Sequence, residues 1–221
     1  MIALSLCILF HDSVLAHNVS RDDQGFLLEN TGTSILPYMY LGAKHMVTGY
    51  DHLLFLVGVI FFLYRLKDVV LYVTLFAVGH SVTLLFGVLA GLHVNPYIVD
   101  AIIGLSVVYK AFENLGGFKS LIGFQPDTRL AVLVFGFFHG FGLATKLQDL
   151  QLSEDGLITN MISFNVGVEL GQILALSIIL IGLNVWRASG SFFQYAFVAN
   201  LFLISAGFIL FGYQLTGYII S

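Results

Sequence analysis

The sequence predicts an all-α integral membrane protein, a bundle of about six transmembrane helices with a short half-helix before the first span. Composition is the first reason: the 221 residues are 58% hydrophobic and 10% charged, whereas a soluble domain is about 45–50% apolar and about 25% charged. The second is a mean hydropathy of +0.92, gathered into recurrent runs near the ~20 residues that cross ~30 Å of hydrocarbon. The third is that the connections are short, so no separate soluble domain fits between the runs.

Residues 1–16, MIALSLCILFHDSVLA, hold an apolar stretch from Ile2 to Phe10 that is too short to span. With Val14-Leu15-Ala16 as a small-residue cleavage site, it reads as a signal peptide, although the usual Lys or Arg is missing ahead of it. Cleavage makes His17 the new amino terminus and residues 17–35 an extracytoplasmic tail. The membrane domain, 36–221, opens with a run over 36–64 that carries Pro37, Gly42, Lys44, His45 and Gly49 before Asp51. The spacing predicts a half-helix or re-entrant piece over 36–48 and the span proper over 49–65, because irregular backbone at membrane depth must be shielded by protein or line a wet cavity.

Further runs fall at 69–91, 97–115, 130–148, 157–186 and 192–219. Turn chemistry separates them: Asn95-Pro96 before the third helix and Gln125-Pro126-Asp127 before the fourth. Arg65, Lys67, Lys119, Arg129 and Arg187 lie on one side, against Arg21, Lys44 and Lys146 on the other. The richer side is expected to be cytoplasmic, which puts both termini outside, in what reads as a bacterial inner membrane. No clear internal repeat exists; a weak echo between His80-Ser81 and His139-Gly140 is the one hint of inverted halves.

A net charge of −4 and a pI near 5.9 offer no basic patch for nucleic acid. The single cysteine, Cys7, excludes an internal disulfide and any Cys-based metal centre. A metal would have to be held by His, Asp, Glu or amide groups.

The spans contain such groups. A charge at the bilayer centre costs roughly 2.5–3.5 kcal/mol on insertion scales, yet the apolar runs hold His45, Asp51, His52, His80, Asp100, Lys110, Glu113, His139, Asn165, Glu169 and Gln172. His45 and His52 are two helical turns apart and share a face if the helix runs on. Asn165, Glu169 and Gln172 stand at i, i+4 and i+7, one polar stripe, and His80 shares a face with Thr83. Imidazole and carboxylate suit nickel, cobalt and zinc, while the lack of thiolate argues against copper(I). Asp51 can bind directly or orient His52 through its second ring nitrogen, and Asn165 and Gln172 suit a supporting shell.

Each of these residues also has a bland reading. A single buried histidine such as His80 or His139 is more often a hydrogen-bonded packing group; the case for metal rests on the set. Lys110 and Glu113 read as side chains snorkelling from a helix end. Asp100 is either an N-terminal charge favoured by the helix dipole or a gate at the cavity mouth. His93 and His11 read as structural, and the glycines at 136, 140, 142, 167 and 171 as helix-packing positions.

A resemblance sharpens this picture. Gly42-Ala43-Lys44-His45 followed by Gly49-Tyr50-Asp51-His52-Leu53-Leu54-Phe55 resembles the first motif of the HupE/UreJ family. Phe76–Leu84, Asp100–Asn114, Phe135–Ala144 and Phe164–Gln172 resemble its later motifs in order. The resemblance implies a nickel or cobalt permease with ligands at His45, Asp51, His52, His80, His139 and Glu169. Met46 stands where the family often has proline, and Asp100 where it often has Glu.

The leading expectation is therefore a permease that moves a divalent metal, nickel or cobalt with zinc possible, with Asp100, Asn165 and Gln172 as gate or supporting residues. His17, with its free amine, reads either as the first residue of a mobile tail or as a capture site for metal arriving from outside. Two other readings stay open: an intramembrane metal-dependent hydrolase with Glu169 as base, and a metal-binding accessory subunit of a larger complex. No nucleotide-binding motif is present.

Overall fold

The computed structural model describes residues 32–149 and 155–221. The expected signal peptide, His17 and nearly all of the tail lie outside these residues. Among them the chain is helical, with no strand: α1 Ile35–Thr48, α2 Tyr50–Ile60, α3 Leu66–Ala90, α4 Pro96–Asn114, α5 Gly117–Ile122, α6 Thr128–Asp149, α7 Leu157–Ala188 and α8 Phe192–Ile220.

Helix boundaries follow local chemistry. Asn95 caps α4, its Oδ1 accepting from the amides of Tyr97 (3.0 Å) and Ile98 (3.3 Å), with Pro96 in the first turn. Asp127 does the same for α6 through Arg129 and Leu130. Gly91 ends α3 at φ 62°, while the Leu92 amide donates to Gly87 O at 3.0 Å. At Gly49 the backbone is extended (φ −73°, ψ 96°), and it breaks the first apolar run into α1 and α2. That break is the half-helix the sequence predicts.

Four helices, α3, α6, α7 and α8, are long and apolar enough to cross a membrane. The protein is an integral membrane protein. By the same measure α2, with 11 residues, is a shorter apolar helix, rising ~16 Å, about half the hydrocarbon thickness. The 19-residue α4 carries Asp100, Lys110 and Glu113.

The helices associate mainly in three glycine-sealed pairs. In α1 and α7, a Cβ on Gly42 or Gly167 would overlap the carbonyl of Phe164 or Met39, and one on Gly171 would stand 2.6 Å from Ala43 O. In α3 and α6, a Cβ on Gly136 would stand 2.6 Å from Phe76 O and one on Gly79 2.5 Å from Leu133 O. In α4 and α8, one on Gly104 would stand 2.7 Å from the Phe211 amide nitrogen. Lipid gives helices no hydrophobic reason to associate, so such close approach is what holds them together. The first two pairs run parallel and the third antiparallel, from the order of their contacts. Between the pairs sits α2, burying Asp51, His52, Phe55, Leu56, Val59 and Ile60.

Lys110 and Glu113 do not snorkel. They form a buried ion pair, Nζ to Oε2 2.8 Å. The other oxygen of Glu113 accepts from Gln125 Nε2 (2.8 Å) and Thr128 Oγ1. Asn114 donates to Gly58 O and to Asn200 Oδ1. This end of α4 is tied to α2, α8 and the start of α6, and a side chain so engaged has no reason to reach for water.

Candidate metal centre

The Gly49 break builds the centre. Seven residues of uninterrupted helix would separate His45 and His52 by ~10.5 Å of rise; with the break, their ring centroids are 5.0 Å apart and edge to face. His80, from the middle of α3, comes within 5.7 Å of His52, and His139, from α6, within 4.8 Å. His52, His80 and His139 are fully buried, and His45 is half-buried.

His45, His52 and His80 each offer a ring nitrogen, and these atoms all lie within 4.8 Å of one another. Metal–nitrogen bonds are ~2.0–2.1 Å for zinc, so one ion between the three rings needs only a modest inward movement. Asp51, 2% exposed, orients His52: its Oδ1 accepts the His52 backbone amide at 2.8 Å and lies 3.0 Å from Nδ1. A carboxylate there fixes the proton on Nδ1 and leaves the lone pair on Nε2.

His139 stands beside this trio and is not one of its three converging donors. Its Nε2 is 3.3 Å from Ser106 Oγ, whose hydroxyl donates to Ile103 O at 2.6 Å. With that hydroxyl hydrogen committed, Ser106 accepts, so Nε2 carries the proton and Nδ1 the lone pair. Phe76 lines the wall at 5.0 Å from His139 and 6.1 Å from His52, and Phe55 at 5.4 Å from His139. These walls are apolar, and neutral imidazole is the form that binds metal. Thr83, on the His80 face, donates to Phe137 O at 2.8 Å and helps clamp α3 to α6.

The remaining sequence candidates are placed differently. Asn165 is buried beside Phe164, whose ring is 6.2 Å from His45; its Nδ2 donates to Met161 O at 3.2 Å, and its Oδ1 has no hydrogen-bond partner among the described residues. Gln172 is buried and reaches Val73 O of α3 at 3.4 Å, a long contact that spans two helix pairs. Glu169 is exposed and does not join the cluster. The reason is rotational: Gly167 and Gly171 press α7 against α1, and at ~100° per residue the Glu169 side chain leaves the opposite side of the helix. Asp100 pairs with Lys146 at 2.7 Å, tying α4 to α6. His17 lies outside the described residues.

Sequence reasoning missed two contributors. Ser106 carried no signal beyond being polar in an apolar helix. Lys146 entered only as a topological charge, although it stands at i+7 from His139 on the same face of α6.

The ordered motifs and this geometry converge with the comparison to known families, where the family described as HupE / UreJ protein matches residues 21–221. The chain belongs to the HupE/UreJ family. It is thereby a membrane protein related to nickel and cobalt transport. No curated protein and no solved structure matches it significantly. Within this HupE/UreJ chain, the family motifs supply the residues of the centre: α1 and α2 bring His45, Asp51 and His52, α3 brings His80 and α6 brings His139.

Proposed function

We propose that this chain is a permease that carries a divalent metal ion, nickel or cobalt, across the membrane, with His45, His52 and His80 as its transient ligands. One observation carries the reading: three imidazole nitrogens from three helices converge within 4.8 Å in an apolar interior. Neutral nitrogen donors suit nickel, cobalt and zinc. His139 is a fourth donor within one ring's width, and Asp51 holds His52 in the binding tautomer. Because the donors bind only when deprotonated, protons compete with the metal.

In this reading α1 with α2, and α4, complete six spans together with the four long helices. The signal peptide 1–16 is removed, both termini face the outside of a bacterial inner membrane, and the new amino terminus at His17 delivers metal toward His45. Asp100 and Lys146 rim the approach on that side, where an arriving cation displaces the Lys146 ammonium from the carboxylate. Asn165, with its buried amide oxygen, supports the passage, and Gln172 holds α7 against α3. The hydrolase alternative loses its candidate base, since Glu169 is not at the centre.

Purified protein in liposomes should take up radioactive nickel or cobalt saturably, and His52→Ala should abolish the uptake. Uptake no faster than in empty liposomes, or wild-type uptake by His52→Ala, would overturn the proposal.

A further inference from the structure

A groove of ≈ 520 Å³ lies between α2, α7 and α8 at the end of the bundle away from Asp100. That size falls within the ~300–1,000 Å³ of small-molecule sites. Its walls are apolar: Leu54 and Val57 of α2 with Phe61 just past its end, Trp186 of α7, and Val198 and Ala199 of α8. Val198 is 58% exposed, so the groove opens sideways, where hydrocarbon chains lie.

Its end is marked by a fixed positive charge. One Arg187 Nη donates to Ile60 O and Phe61 O, both at 2.7 Å, the other to Asn184 Oδ1 at 3.2 Å, and the guanidinium lies 4.5 Å over the Tyr64 ring. Among the described residues no carboxylate pairs with it. Of its five N–H bonds, Nε–H is buried, three are used, and one on the Asn184 side is left for an acceptor. Arg65, on the turn that follows Phe61, and Lys67, in the first turn of α3, are exposed and add to the positive potential. Trp186 stands in the last turn of α7 beside Arg187, the kind of helix-end position at which interfacial aromatic side chains are enriched. An ordered, uncompensated guanidinium at that level, capping an open apolar groove, calls for a ligand with an anionic head and a hydrocarbon tail.

We propose that this groove binds one anionic glycerophospholipid, an acyl chain lying along Val57 and Ala199 and the phosphate meeting Arg187. The proposal is independent of the metal centre. The bound chain braces α2, the helix that carries Asp51 and His52, against α7 and α8.

The test is native mass spectrometry of delipidated protein titrated with phosphatidylglycerol or with phosphatidylcholine of the same acyl chains. Wild type should hold one phosphatidylglycerol per chain, about tenfold more tightly than phosphatidylcholine. Val198→Trp, which fills the groove from its open side, should weaken both about tenfold, and Ala199→Phe should do the same from a second position. Arg187→Gln should equalise the two lipids. Phosphatidylglycerol retained by both groove-filling variants as by wild type would overturn the site, and equal affinity of wild type for the two lipids would overturn the headgroup assignment.

Discussion

Two regions of this bundle bury ionisable side chains, and they do so in opposite ways. At one end of α4, Lys110 and Glu113 neutralise each other at 2.8 Å, and Gln125 and Thr128 satisfy the second carboxylate oxygen. In the middle, His45, His52 and His80 face one another as like groups, with ring nitrogens drawn together and one carboxylate, Asp51, behind His52. The first arrangement is complete in itself and holds helices in place. The second gathers like ligand groups from three helices, within 4.8 Å of one another. Burial of polar groups does not distinguish a binding site from a structural joint; convergence of like donors is what supports the proposed binding site here.

The comparison can be broken by substitution. The largest effect is expected at His52, where replacement by Ala should cost more metal affinity than the ~10–100-fold typical of an outer-shell partner, with expression unchanged; titration calorimetry with nickel or cobalt reads it. Glu113→Ala should do the reverse. Removing one partner of a buried ion pair costs about 3–5 kcal/mol, so its thermal midpoint in detergent should fall sharply while metal affinity stays at the wild-type value. A large loss of affinity there would make the α4 network part of the site. Asp51→Asn tests the link between carboxylate and imidazole, with an expected loss of about 10–100-fold in affinity and little change in thermal midpoint. The smallest effect is expected at Glu169, since exposed substitutions stay within about ±0.5 kcal/mol; Glu169→Gln should leave metal affinity as it is, and a loss comparable to that of His52→Ala would bring the carboxylate back among the ligands.

Much of this was legible in the sequence, and what was not has physical causes. The half-helix before Asp51 followed from Pro37, Gly42 and Gly49, and the starts of α4 and α6 from Asn95-Pro96 and Asp127, because caps and breakers act locally. The helical character of the bundle followed from composition. His45 and His52 were paired for an incomplete reason: periodicity gave them a common face, but it is the break at Gly49 that brings the rings to 5.0 Å. For Glu169 the stripe with Asn165 and Gln172 was real, yet its outer edge falls on the exposed side of α7, because the rotation of that helix is set by glycine contacts with α1. Lys110 and Glu113 were misread because the partners of Glu113, Gln125 and Thr128, lie in and just after a connection whose path the sequence does not specify. Ser106 stayed invisible because its role depends on a histidine 33 positions away.

The glycine seams also have a mechanical consequence. His45 rides on a backbone locked to α7, while His80 and His139 ride on two backbones locked to each other. In the proposed permease the coordination sphere would thus be shared between two jaws with α2 as the tongue between them, and Gln172 to Val73, 3.4 Å long, is a hydrogen bond between the jaws. A sphere divided in this way would tighten or slacken by rigid-body sliding of the jaws. A shift of about 1 Å is large against a ~2 Å metal–nitrogen bond, so under the proposed function an ion would be gripped or let go without any helix unwinding.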